Sequence, residues 1–207
     1  MCQHWGMFRF VPGPLRRPAS CVLPAAALLL AAQAAAAGCP SPPDHSTPLE
    51  GLLSEVQQAG SEAQAREIAN RMWEFWADAP DERAQEILNR GMTRRSSFDF
   101  LGALEDFDQL IAYCPDYAEG YNQRAFVHYL RRDFAAALRD LDRALELSPR
   151  HVAAMSGRAL SLYGLSRLEE ARVALAEALA LNPWLPERYL ADPGGPLAPP
   201  GAGDMEL

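Results

Sequence analysis

The chain has 207 residues, room for one domain and its appendages. Its 27 acids outnumber 19 basic residues, all arginine, for a net charge of −8. An acidic, lysine-free chain is excluded as a nucleic-acid binder, because phosphate contact needs clustered positive charge. A hydrophobic content of 49% excludes a wholly disordered chain.

The first residues carry only positive charge, at Arg9, Arg16 and Arg17, and then run into "CVLPAAALLLAAQAAAA", Cys21–Ala37. A basic leader, a short apolar core and small residues before a polar segment predict a cleavable secretory signal over 1–38, starting at Met1 or Met7. Pro24 and Gln33 interrupt the apolar run, which falls short of the roughly 20 residues a spanning helix needs. Two processing routes stand. Ala35–Ala37 fits a small-x-small cleavage site, giving a soluble periplasmic protein. "AAGC", Ala36 to Cys39, resembles a lipobox in which Cys39 becomes lipidated. Cys2 and Cys21 leave with the leader; with Cys39 lipidated or removed, Cys114 is expected alone, as a small core residue without an internal disulfide. All 27 acids lie beyond Cys39 with 16 of the arginines, so that part carries a net −11.

"PSPPDHSTP" places an extended linker over 39–48. Residues 49–80 read as a degenerate N-terminal helix pair that caps the stack. Its second helix opens at Ser61 with Gln64 in capping-box spacing and ends before Pro80. Trp73 and Trp76 fill this pair, their alternative use being a lid over a groove.

Beyond it the chain keeps a clock. Pro115, Pro149 and Pro183 stand 34 residues apart, and with each at position 32 the units run 84–117, 118–151 and 152–185. Position 8 holds Gly91, Ala125 and Ala159; position 20 holds Ala103, Ala137 and Ala171; position 24 holds Phe107, Leu141 and Leu175. Apolar positions 4 and 8 share one stripe of a first helix, and 20, 24, 27 and 28 one stripe of a second. Small residues at 8 and 20 let two antiparallel axes approach, large ones at 24 fill the gap, and the proline ends the second helix. One pair cannot bury its own apolar face, whereas stacked pairs can. A short capping helix is expected over 186–192, and the Pro/Gly-rich residues 193–207 read as a disordered tail.

These columns resemble the tetratricopeptide repeat, most closely in "AEGYNQRAFVHYLRRDFAAALRDLDRALELSPRH". The 84–117 unit departs at Arg94 and Leu110, and the 118–151 unit at His128. The whole chain is also similar to small exported bacterial tetratricopeptide proteins. The resemblance implies an all-α, right-handed superhelical solenoid of antiparallel helix pairs, with three clear repeats behind a degenerate first pair. It implies an interaction module binding a protein or peptide, with no catalysis and no cofactor. The alternative is a Cys39-anchored scaffold tethering cell-wall enzymes.

The concave face of such a solenoid is built from the first helix of each pair. There Arg95 is expected to take a carboxylate, Asn122 to hold a peptide backbone, and Phe126, Tyr129 and Tyr163 to offer aromatic area. The carboxylate clamp of chaperone-binding repeats is missing, because Leu88 and Met92 stand where Lys and Asn are needed. Arg90, Arg124 and Arg158 recur at position 7 with Asp106 and Asp140 at position 23, a pattern for intra-repeat clamps rather than a basic ladder. No histidines or cysteines have metal-ligand spacing, and no acid, base and nucleophile assemble. Exposed repeat edges leave self-association open.

Overall fold

A computed structural model describes residues 38–199; the expected signal segment and the end of the tail lie outside the described residues. Among these residues are eight α-helices: α1 (Ser46–Gln57), α2 (Glu62–Trp76), α3 (Glu82–Ser96), α4 (Phe100–Tyr113), α5 (Ala118–Leu130), α6 (Phe134–Leu147), α7 (Val152–Gly164) and α8 (Leu168–Leu181). A short 3₁₀ helix, Pro186–Ala191, follows. The fold is all-helical and solenoidal. Helices α3 to α8 pack as three antiparallel pairs, each stacked on the next.

Local chemistry sets the ends. Asp81, Asp99 and Asp133 each accept a hydrogen bond from a first-turn backbone N–H of α3, α4 and α6. Each proline of the clock stands two residues beyond its helix, at the close of α4, α6 and α8. Between the helices of a pair the clock reappears in the backbone. Phe98, Arg132 and Ser166, all at position 15, are left-handed with φ of 63°, 62° and 60°. The next N–H reaches five residues back, Asp99 to Arg94 O, Asp133 to His128 O and Arg167 to Leu162 O, which is a Schellman closure. Glycine would be the usual occupant, so composition hid this feature.

Packing follows the columns. Ala103, Ala137 and Ala171 are buried, as are Ala125 and Ala159. Gly91 sits against the buried Phe107: a methyl added there would lie 2.5 Å from the ring Cε1. The other pairs seat Ala125 with Leu141 and Ala159 with Leu175, a larger small residue against a smaller large one. The position-7 arginines join helices as clamps. Arg124 donates to both oxygens of Asp140, at 2.8 and 2.6 Å, and to Asp108 of the preceding pair at 2.7 Å. Arg90 makes the forward contact alone, to Asp106 at 2.7 Å. Arg158, facing Ala174 where the aspartate column breaks, makes the backward one, to Asp142 at 2.8 Å.

Three expectations are corrected. The N-terminal pair does not cap the stack by lying on α3. Helices α1 and α2 form a hairpin that shares its core with α7, α8 and the turn after α8: Leu53, Val56, Ile68 and Met72 pack with Val152, Ala178 and Leu185. Gln57 donates to the carbonyls of Ala180 and Leu181, Arg150 pairs with Glu50, and Arg188 with Glu62. The hairpin thus runs along the edge that carries the proline turns, because the apolar faces of α7 and α8 are open there. Its first helix begins at Ser46, inside the segment expected to be linker.

The second correction concerns Cys39, which is disulfide-bonded to Cys114 at a Cα–Cα distance of 5.1 Å. Cys114 is therefore not a lone core thiol, and the Cys39 sulfur is not free to carry a lipid. Sequence alone allowed several fates for Cys39. The pairing becomes visible only once the segment before α1 is seen to return to the end of α4.

Third, the tail is ordered over 193–199. Leu197 is fully buried, its N–H donates to Leu190 O at 2.8 Å, and Arg172 Nε donates to Ala198 O at 3.0 Å. The apolar wall left at the end of α7 and α8 supplies a seat that composition does not register.

Two predictions follow from the packing. Gly91→Ala should destabilise by about 1–3 kcal/mol through overpacking, and adding Phe107→Leu, which copies the neighbouring pairs, should recover most of the loss in urea denaturation. Cys39→Ser should cost about 4 kcal/mol in the chain-entropy treatment of a loop this long, an effect matched by adding a reductant to the unaltered protein.

Candidate functional site

The A helices of the three repeats, α3, α5 and α7, expose their free faces in a common groove. A pocket of about 360 Å³ opens there. Arg95, Asn122, Phe126 and Tyr129 all line it, joined by Ser156, Gly157 and Leu160 of α7. Tyr163 does not: it lies a turn further along α7 and is exposed. Two walls were not legible in the helical columns. Trp73 enters from α2, and Leu185, Pro186 and Glu187 close the pocket from the C-terminal segment. Trp73 thus serves the groove as a wall, near the lid use named as its alternative.

The floor is a buried polar network centred on Glu119. Its carboxylate accepts both bonds from Asn122 Nδ2, at 3.2 and 3.1 Å, a further one from Gln123 Nε2, and one from His151 Nε2 at 2.8 Å. Glu119 and His151 are each 1% exposed. His151 Nδ1 accepts from Ala154 N at 3.4 Å and caps α7, so the ring carries its proton on Nε2 and donates to Glu119. Trp76 stacks on the imidazole, with centroids 4.2 Å apart and planes 12° from parallel, and its carbonyl accepts from Tyr117 OH at 2.9 Å. One histidine therefore ties hairpin, groove floor and helix start together. The signal in sequence was the i, i+3, i+4 spacing of Glu119, Asn122 and Gln123 on α5; the fourth partner came from the turn after Pro149.

The network corrects one expectation. The Asn122 side chain is nearly buried and its amide donor is committed to Glu119, so it cannot offer paired bonds to a peptide backbone. Arg95 is held rather than free. Its guanidinium lies 4.8 Å over the Phe126 ring and donates to Gln123. Burial lowers its pKa, and the Glu119 carboxylate opposes that shift. What the groove leaves accessible is then the exposed Phe126 with the half-buried Tyr129, Leu160 and Trp73, an apolar and aromatic lining over the Glu119 network. Burial raises the Tyr129 pKa, with Tyr189 and Glu187 adding to the shift. Among the described residues no cluster of metal-ligating side chains forms, and no helix is long and apolar enough to cross a membrane.

The family model for the tetratricopeptide repeat matches residues 118–151, the α5–α6 pair and its flanking turns. No curated protein matches the chain in sequence. Among solved structures, the tetratricopeptide domain of Arabidopsis OM64 superposes with a TM-score of 0.51 at 22% identity, over 53% of this chain and 91% of that domain. The TPR2B domain of yeast Sti1 in complex with an Hsp70 peptide gives 0.49 at 22%, over 54% and 89%. The first such domain of RPAP3, bound to an HSP90 peptide, gives 0.49 at 23%, over 50% and 82%. The repeat model thus matches one helix pair of the chain, and the likeness to the OM64 domain is one of fold.

Replacing His151 should test the network. His151→Ala leaves the buried Glu119 short of a donor and should cost about 2–4 kcal/mol. His151→Asn, which keeps a capping side chain, should lose less. Tryptophan emission, read beside the urea curve, should shift only when the Trp76 stack is lost.

Proposed function

We propose that the protein is an exported interaction module that holds an extended segment of a partner protein in the groove of α3, α5 and α7. The observation that carries this reading is the meeting of Phe126, Tyr129, Leu160 and Trp73 around one open pocket above the Glu119 network, whose polar groups already satisfy one another. Such a surface is preorganised: a ligand gains aromatic and apolar contact without first breaking the network below. The work assigned to it is binding, with no catalytic step. The Hsp70 and HSP90 peptides belong to the Sti1 and RPAP3 structures. They are not carried over, because Leu88 and Met92 stand where a carboxylate clamp needs a cation and an amide.

Export is part of the proposal. The Cys39–Cys114 bond supports it, since such bonds persist in oxidising compartments such as the periplasm, and it agrees with the basic, apolar leader. The lipid-tether alternative is set aside, because the sulfur it requires is engaged.

The test uses the disulfide-bonded protein as bait in envelope extract, beside Phe126→Ala and Tyr129→Ala. Tyr129 packs on Phe134 with centroids 5.6 Å apart. Its loss should therefore cost only about 1–2 kcal/mol of stability while weakening partner capture about tenfold or more. Equal capture by native and altered baits would remove the groove as the binding site.

A further inference from the structure

One part of the groove is left unsatisfied by the protein itself. Glu187 Oε2 is buried and has no hydrogen-bond partner among the described residues. The adjacent cation is engaged elsewhere: Arg188 donates to the carbonyls of Trp184 and Leu185 and pairs with Glu62 at 3.1 Å. Two hydroxyls lining the same pocket, Ser156 Oγ and Ser161 Oγ, are also without partners, on residues 5% and 0% exposed. A buried carboxylate oxygen with no donor is costly. Unmet polar atoms gathered at one cavity are what a site shows when its ligand brings the missing hydrogen bonds.

The surroundings select the sign of that ligand. Arg95, the one cation among the described lining residues, is answered within the fold by Gln123, the Phe126 ring and the charge of Glu119. Among the described residues no donor answers Glu187. Trp73, Phe126 and Tyr129 line the same pocket, and Tyr129 lies within electrostatic reach of the Glu187 carboxylate. Aromatic faces beside a carboxylate receive a guanidinium or ammonium group: the rings attract the cation, the carboxylate accepts its N–H bonds, and the alkyl stem lies along apolar surface. The net −11 beyond Cys39 also draws a basic segment toward the protein.

We propose that Glu187, with the aromatic wall of Trp73 and Tyr129, forms a subsite for a basic side chain of the bound segment. This rests on the groove being the peptide site, and it names the chemistry of what the groove takes.

Three blocked pentapeptides test it against the full chain: acetyl-Ala-Leu-Arg-Leu-Ala-amide, the same peptide with citrulline for arginine, and the same with glutamate. Binding is read by calorimetry and tryptophan emission at low ionic strength. The arginine peptide should bind about tenfold tighter than the citrulline peptide, the scale of one charge-assisted pair, and the glutamate peptide weakest. Glu187→Gln should shrink the arginine–citrulline difference to about twofold or less, with an unchanged melting temperature. Equal affinity for arginine and citrulline, tighter binding of glutamate, or a preference that survives Glu187→Gln would overturn the subsite and leave the groove reading standing. Failure of all three peptides to bind would overturn both.

Discussion

Close approach of two antiparallel helices at a small residue is the contact on which the rest of this structure depends. Where Gly91 meets Phe107, or Ala125 meets Leu141, the first helix of a pair seats on the second without a gap. Only then does Arg124 reach aspartates on both sides, and only then do the free faces of α3, α5 and α7 line up as one groove. The groove is a by-product of the seam. Residues facing it need not hold the fold together, which leaves Phe126 and Tyr129 available to a ligand.

The hairpin of α1 and α2 changes what kind of solenoid this is. An array of repeats normally ends in a cap and contacts only nearest neighbours. Here the N-terminal hairpin skips α3 and lies along the proline turns, so the first helix described touches the last, α8. Its contribution to the groove is Trp73, and its contribution to the floor is Trp76 against His151. Groove and edge strap therefore share one polar network through Glu119. A change at the strap is carried into the groove by direct contact, through a stacked ring and a hydrogen bond.

Much of the fold was legible because repetition amplifies weak signals. A single alanine says little, but Ala103, Ala137 and Ala171 on a 34-residue spacing fix where a second helix meets a first. The same columns placed Arg95, Asn122, Phe126 and Tyr129 on the groove. What escaped did so for physical reasons. Asn122 looked free because the spacing alone does not say that its amide turns to Glu119, three residues away. Glu187 and Trp73 come from segments outside the repeat, where no column predicts direction. The Cys39–Cys114 bond and the seat of Leu197 depend on how far chain ends fold back, and periodicity is silent about ends. The left-handed turns carry Phe98, Arg132 and Ser166, residues whose composition gives no hint of their backbone.

The strap also sets an order of events. Repeats fold from contacts within a few tens of residues, which is fast. The hairpin finds its partners more than 100 residues later, as the bond between Gln57 and the Leu181 carbonyl, 124 residues apart in sequence, makes plain. Synthesis runs from the N-terminus, so the hairpin, which emerges before the repeats, must wait, its apolar face unpaired, until α8 exists. Once docked, it converts a row of separable units into one body in which the last helix is needed to hold the first. A chain truncated before Leu181 would lose more than its final repeat: it would release the strap, and with it the Trp73 wall of the groove.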